Sequence, residues 1–181
     1  MILLINIYVM KILKTYIDLF EKNKILDLSY NELYVLPELS KTLKKLYLNN
    51  NKLKKITNLP ETLKLLDCRF NLLKELPKLP TTLEDLVCYK NKLKELPKLP
   101  DTLKFLSCGH NKLKKIPKLP DTLVELDCEY NKLRELPEIP QSLKHLNCSN
   151  NNLPYDNLEE YWDWYYNIKY PKKGKARKFN L

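Results

Sequence analysis

Residues 85–100 read DLVCYKNKLKELPKLP, and nearly the same phrase stands at residues 65–80 and at residues 125–140. The period is 20 residues and contains no insertion. The register is marked by one asparagine in every period, at Asn31, Asn51, Asn71, Asn91, Asn111, Asn131 and Asn151. Self-similarity at a fixed period of this length predicts a solenoid of stacked coils. Counting from residue 23 gives about seven coils, so the array is predicted to span residues 23–154.

Each part of the phrase has a structural reason. The alternation in Leu86–Val87–Cys88 predicts a short strand with one face turned inward. Strands of successive coils would stack as a parallel sheet, about 4.8 Å apart, on the concave side of the solenoid. Pro97 and Pro100 exclude a helix on the return path and favour an extended, polyproline-like convex side. The recurrent asparagine amide both donates and accepts, so it is predicted to pair buried backbone groups where the chain leaves the strand.

The two ends of such a stack need covers, because a lone coil buries too little apolar surface to offset its ordering entropy. Residues 1–22 are predicted to form a strand and helix cap, since apolar residues share one helical face of residues 11–22. Residues 155–168 are predicted to form a C-terminal capping helix, with Asp156 and Glu159 at capping-box spacing. Residues 169–181 form a basic tail. The apolar start MILLINIYVM is too short to span a membrane and lacks the basic leader of a signal peptide.

The pattern LxxLxCxxNxLxxLPxLPxT resembles the LPX type of leucine-rich repeat, the 20-residue class best known from bacterial effector proteins delivered into host cells. The composition and the inward cysteine are also similar to leucine-rich repeat proteins predicted in giant, mimivirus-like DNA viruses of amoebae. The resemblance implies a leucine-rich repeat solenoid that binds a host protein in the cytoplasm. Some effectors of this class carry a C-terminal ubiquitin ligase with a cysteine nucleophile. No cysteine follows Pro154, so that activity is not carried over.

The cysteines and histidines predict no catalytic, metal or cofactor site. Five cysteines recur once per coil in a column that holds Leu28 and Leu48 in the first two coils. Cysteine is a small, frequently buried side chain, and no zinc-ligand spacing is present. The two histidines, His110 and His145, fall on different coils, so a nucleophile with its base is not expected. The chain is predicted to be a non-enzymatic monomer.

The outward strand positions, and the residues beside them, are where the repeat stops repeating. They vary in size, charge and aromaticity, which is typical of a protein-binding surface. Asn49 is placed among the exposed positions. The partner-binding residues are predicted to be Tyr47, Asp67, Arg69, Phe70, Asp85, Tyr89, Phe105, His110, Glu125, Asp127, Glu129 and Tyr130.

The basic residues leave a second function open. The chain has 32 Lys and Arg against 22 Asp and Glu, a net charge of +10. Lysines form columns on the loop edge and the convex side, as at Lys74, Lys94 and Lys114. These columns could be a solvated surface. They could also be a binding surface for nucleic acid or another anionic surface, aided by the basic tail. Binding of a protein on the concave face is the preferred prediction.

Overall fold

Seven strands of three residues each form one parallel sheet in chain order. The computed structural model describes residues 24–169. The strands are β1 Ile25–Asp27, β2 Lys45–Tyr47, β3 Leu65–Asp67, β4 Asp85–Val87, β5 Phe105–Ser107, β6 Glu125–Asp127 and β7 His145–Asn147. Every pair is offset by 20 residues, so that Leu86 lies opposite both Leu66 and Leu106. The predicted coil stack and its register are therefore confirmed.

The core is a set of columns that run along the stack. The central strand residue Leu86 is fully buried, and so are its counterparts in β2, β3, β5 and β6. Cys68, Cys88, Cys108, Cys128 and Cys148 are free thiols with no exposed surface. Because the coils are stacked in register, each inward side chain packs on the same position of its neighbours. The prediction that the cysteines line the core is confirmed.

The return path of each coil forms no regular helix or strand within residues 24–169. A turn closes it where the N–H of Leu103 donates to the carbonyl of Pro100, at 3.1 Å. The Thr102 hydroxyl donates to the carbonyls of Thr81 and Leu83 in the preceding coil, at 2.8 and 2.7 Å. Thr62, Thr82 and Thr122 repeat these contacts. Side-chain hydroxyls thus supply donors beside a segment whose prolines have no N–H.

The asparagine column ties each coil to the one before it. The Asn91 amide nitrogen donates to the carbonyls of Cys68 and Cys88, at 3.0 and 3.1 Å. Its amide oxygen accepts the N–H of Leu73 at 3.0 Å. Asn51, Asn71, Asn111, Asn131 and Asn151 make the equivalent set. The predicted role of these asparagines is confirmed.

The C-terminal helix α1 comprises Leu158–Lys169. Asn157 caps it by accepting the N–H of Glu160 at 3.0 Å. The Glu160 carboxylate accepts hydrogen bonds from the Asn157 side-chain amide and from the N–H of Asp156, each at 2.8 Å. The predicted cap of Asp156 with Glu159 is wrong by one residue. Asn157 is at the cap because the Asp156 carbonyl is already engaged, accepting the N–H of Cys148 at 2.8 Å.

The start of α1 covers the last coil. Tyr155 and Tyr161 are buried against it with ring centroids 5.1 Å apart. The predicted N-terminal cap of residues 1–22, and the basic tail beyond Lys169, lie outside the described residues. Within residues 24–169, no helix is long and apolar enough to cross a membrane.

Candidate functional site

Directly after each strand the backbone adopts a left-handed conformation. The φ angle is positive at the same register in all seven coils, at Tyr30, Asn50, Phe70, Lys90, His110, Tyr130 and Asn150. The conformation is set by the stack, since the N–H of His110 donates across to the carbonyl of Glu129 at 2.9 Å. Asparagine tolerates this conformation better than most residues do, whereas bulky side chains are disfavoured. Rings at this position therefore point to a role other than backbone preference.

Four rings follow one another along this edge, and we call them the ring ladder: Phe70, Tyr89, His110 and Tyr130. Phe70 meets Tyr89 edge-on at 5.8 Å between centroids, and Tyr89 meets His110 edge-on at 4.9 Å. His110 stacks on Tyr130 at 4.2 Å. The two ends remain open to solvent, Phe70 by 39% and Tyr130 by 48%. The ring ladder therefore crosses four coils as one continuous aromatic surface.

Gly109 makes the middle of the ring ladder possible. A Cβ atom at this position would lie 3.1 Å from Cδ2 of Tyr89 and 3.1 Å from Cγ of Glu129, a tight contact that would require one of these side chains to shift. Because Gly109 has no Cβ atom, the Tyr89 ring can lie over this position and contact His110. The repeat pattern does not reveal this role of Gly109. The available signal was that the chain has only two glycines.

One cation already lies on the ring ladder. The ammonium nitrogen of Lys90 is 5.0 Å from the centroid of Phe70 and 5.7 Å from that of Tyr89. These distances are within the range of cation–π attraction. The Phe70 end of the ring ladder therefore carries a positive charge. It comes from Lys90, which occupies the left-handed register position between those of Phe70 and His110.

Two acidic residues predicted to bind a partner are held by hydrogen bonds within their own coil or from the preceding one. Asp67 is only 5% exposed. Its carboxylate accepts the N–H of Arg69 at 3.2 Å and lies 3.2 Å from the guanidinium Nε of the same residue. Asp127 accepts the Ser107 hydroxyl at 3.1 Å and the N–H of Glu129 at 3.4 Å. Burial raises the pKa of both carboxyl groups. Asp67 consequently orients Arg69 and offers little surface of its own.

Glu129 links the acidic strand β6 to the ring ladder. Its carboxylate lies 3.7 Å from Nε2 of His110 and accepts the Asn147 amide at 3.1 Å. Glu125 and Asp127 belong to the same strand, at alternate positions on the exposed face. Carboxylates and rings therefore meet at the Tyr130 end of the ladder.

The other predicted site residues lie on the same face but outside the ring ladder. Tyr47, Asp85 and Phe105 are half-buried on β2, β4 and β5. No ring contact among residues 24–169 joins Phe105 to the ladder. Asn49 was predicted to be exposed, and this is wrong. It is 7% exposed and accepts the hydroxyl of Ser29, because neighbouring coils press close on either side.

The buried thiols are not activated as nucleophiles. Burial raises the pKa of Cys88 to about 12, so the thiolate needed for nucleophilic attack does not form at neutral pH. Within residues 24–169, no group of three or more His, Cys, Asp or Glu side chains could hold a metal ion.

Comparison with solved structures agrees with this geometry. The chain folds as a leucine-rich repeat solenoid. It superposes on YopM from Yersinia enterocolitica WA-314 with a TM-score of 0.67, at 38% identity over 67% of this chain and 27% of YopM. For the leucine-rich effector protein YopM from Yersinia pestis the TM-score is 0.64, at 31% identity over 76% of this chain and 45% of the other. A Shigella effector leucine-rich repeat domain gives a TM-score of 0.69, at 28% identity over 87% of this chain and 82% of that domain.

These neighbours are repeat proteins of the bacterial effector type and support an interaction module. The chain spans less than half the length of either YopM structure. No protein-family model and no curated protein sequence matches it.

Proposed function

We propose that this chain is a non-enzymatic interaction module that binds a partner protein on the exposed face of its sheet. The observation that carries the proposal is the ring ladder of Phe70, Tyr89, His110 and Tyr130, which crosses four coils and ends in two exposed rings. Aromatic side chains supply large contact areas at low entropic cost and are enriched among the residues that contribute most to binding.

The ring ladder is also organised in advance of binding. Its rings support one another, Gly109 leaves room for Tyr89, and the stack holds the left-handed backbone at Phe70, His110 and Tyr130. A surface that is ordered before contact loses less conformational freedom on association. The polar groups around it pair with one another, as Asp67 does with Arg69 and Asp127 with Ser107. This arrangement suits recognition better than catalysis.

The test replaces both exposed rings by the residue that other coils carry at the same position. Asn50 and Asn150 occupy this register with positive φ, so Phe70→Asn with Tyr130→Asn removes the rings and keeps the backbone. The matched control is Lys94→Glu with Lys114→Glu, two exposed residues on the loop edge. Loss of an interface hot spot costs about 2 kcal/mol or more, roughly thirtyfold in affinity. Charge reversal at a rim mainly alters the association rate and its salt dependence.

We expect the ring variant to lose capture of the partner from a host-cell lysate, and the lysine variant to retain most of it. Circular dichroism should show both variants folded. If the ring variant captures the same partner as strongly as the unmodified chain, the exposed face is not the binding surface.

The alternative, an anionic partner such as nucleic acid on the basic edge, has one observation in its favour. Lys94 and Lys114 are exposed and form no ion pair within residues 24–169. It predicts that the lysine variant alone abolishes binding and that moderate salt does the same to the unmodified chain.

We place this function, for a monomer, in the cytoplasm of a host cell. This setting is proposed by analogy with the bacterial effector proteins among the structural neighbours. Five buried free thiols suit a reducing compartment. A tagged chain expressed in a eukaryotic cell should distribute through the cytosol, and accumulation in the secretory pathway would contradict this setting.

A further inference from the structure

The exposed face of the sheet is opposite in charge to the chain as a whole. Three positions per coil form this face, namely the first and third strand residues and the second residue after the strand. Over seven coils they include six carboxylates: Asp27, Asp67, Asp85, Glu125, Asp127 and Glu129. They include two cations, Lys45 and Arg69, both on the β2–β3 side. From β4 to β7 these three positions carry four carboxylates and neither lysine nor arginine, whereas the whole chain has a net charge of +10; the lysine beside them is Lys90, which lies over Phe70 and Tyr89 at the far end of the ring ladder.

We propose that the partner segment docking on the β4–β7 face is basic. An arginine or lysine side chain of the partner pairs with the carboxylate of Glu129 and packs its stem on Tyr130, and the carboxylate of Glu125 attracts the basic segment farther along β6. This inference rests on the proposed function and names the chemistry of the partner.

Among residues 24–169, no lysine or arginine forms an ion pair with Glu125, Asp127 or Glu129. Asp127 has a raised pKa, chiefly through burial and in part through the charges of Glu129 and Glu125 beside it. The side chains that contact these acids directly within the described coils are Ser107, Asn147 and His110, and Lys144 shares a groove wall with Glu125 and Asp127. A docked cation would relieve the mutual repulsion of the carboxylates of Glu125 and Asp127 on β6 and of Glu129 just after it.

The rings show how such a cation would be held. Lys90 already lies over Phe70 and Tyr89 at one end of the ladder. At the other end Tyr130 is 48% exposed, and no lysine or arginine of the described coils lies over its ring. A planar guanidinium can stack on a tyrosine and form paired hydrogen bonds to a carboxylate at once, which an ammonium cannot. Arginine is therefore the preferred partner residue.

A groove extends the acidic surface toward α1. It measures about 370 Å³ and runs between β6, β7 and the first turn of the helix. Glu125, Asp127 and Glu159 contribute carboxylates to its wall, and Lys144 contributes the one lysine. A partner segment that reaches beyond Glu125 thus continues along a surface of the same charge.

The test is a selection in which the local and the net charge predict opposite results. Random twelve-residue peptides displayed on phage are selected on the full chain, immobilised, at physiological salt. Peptides that still bind the Phe70→Asn, Tyr130→Asn variant are discarded. The net charge of +10 would favour acidic peptides, whereas the exposed face predicts that the retained peptides are rich in arginine and have a net positive charge.

The three outcomes separate the two proposals. Retained basic peptides support both. Retained peptides that are neutral or acidic overturn the basic-partner inference and leave the proposed function standing. If no peptide depends on the rings, the proposed function fails and the inference fails with it.

A pair of matched variants then locates the charge. Glu125→Gln with Glu129→Gln removes two carboxylates from the face and keeps their size. Glu95→Gln with Glu135→Gln removes two exposed carboxylates from the loop edge. For a retained arginine-rich peptide, measured by fluorescence anisotropy, we expect the face pair to weaken binding about fivefold or more and the edge pair less than twofold. Equal effects of the two pairs would overturn the inference, because binding would then follow net charge alone.

Discussion

Replacing Asn91 by alanine tests the framework that holds the candidate site. Asn91 is 9% exposed and lies between the third and fourth coils. Its amide pairs with two carbonyls, of Cys68 and Cys88, and with the N–H of Leu73. Alanine removes these hydrogen bonds, together with a longer one to the carbonyl of Tyr89 at 3.5 Å, and supplies no substitute donor or acceptor.

The size of the effect follows from the groups left behind. A buried N–H without a partner, here that of Leu73, costs about 1–3 kcal/mol. Two carbonyls each lose a hydrogen bond worth about 0.5–1.5 kcal/mol net, and both have a second lone pair that can remain engaged. We therefore expect Asn91→Ala to lower the free energy of unfolding by about 3 kcal/mol.

The assay is equilibrium unfolding in urea, monitored by circular dichroism and by tryptophan fluorescence. Both tryptophans, Trp162 and Trp164, belong to α1, so the fluorescence reports the C-terminal end and the dichroism reports the whole stack. Coincident transitions would justify a two-state free energy. Asn152→Ala is the control, because this asparagine is exposed, and it should change stability by less than about 0.5 kcal/mol.

A second substitution at Asn91 sharpens the test. Aspartate keeps an oxygen for the N–H of Leu73 but turns a carboxylate toward the carbonyls of Cys68 and Cys88. Its pKa in the folded chain should exceed its unfolded value, so the folded state binds more protons and Asn91→Asp should become more stable as pH falls toward 4. The reasoning is refuted if Asn91→Ala costs no more than the Asn152→Ala control.

Three further outcomes are expected. Ellman's reagent should label fewer than one of the five thiols in the native chain and all five in urea, since burial raises the pKa of Cys88 to about 12 and excludes the reagent. Hydrogen bonds from Lys104 and Lys64 lower the pKa of Glu84 to about 2. Glu84→Gln should therefore cost about 0.5–1 kcal/mol at pH 7 in urea unfolding, a difference that shrinks as pH falls from about 4.5 to 2 and that 1 M salt also reduces. Gly109→Ala should cost about 1–2 kcal/mol by overpacking Tyr89 and Glu129, and calorimetry should show it as a lower melting temperature.

The columns of the repeat could be predicted because the period leaves little choice. Once Cys88 falls where Leu28 and Leu48 stand, stacking in register forces it into the same buried column. The asparagine column follows from the same logic, since its amide must satisfy backbone groups that only a neighbouring coil exposes. The repeats within this one chain therefore indicate which positions are buried and which asparagines pair backbone groups.

Contacts between coils were harder to predict from spacing. Asn49 was assigned to solvent because its position alternates outward, but adjacent coils reduce its exposure to 7%. The sequence predicted Asp156 as the helix cap, but the cap is Asn157, and the Asp156 carbonyl accepts a hydrogen bond from the last coil. Both features depend on contacts between coils, which the spacing of residues within one coil does not specify.

The candidate site shows the same division. The sequence placed Phe70, Tyr89, His110 and Tyr130 on the variable surface, and it indicated that this surface differs in character from the lysine columns. It did not show that four rings from four coils touch. Ring contacts depend on the left-handed turn, on the distance between coils and on the missing Cβ of Gly109.

The sequence by itself determined the solenoid, its register and its buried columns, because a strict 20-residue period aligns the repeated leucines in the core and lets the repeated asparagines pair backbone groups of neighbouring coils. Only the tertiary structure decided which surface residues act together. Tyr89 and His110 are 21 positions apart along the chain, yet they lie 4.9 Å apart between ring centroids. Side chains on the surface are not constrained by the core, so their contacts follow from backbone geometry and local space, which the period leaves open.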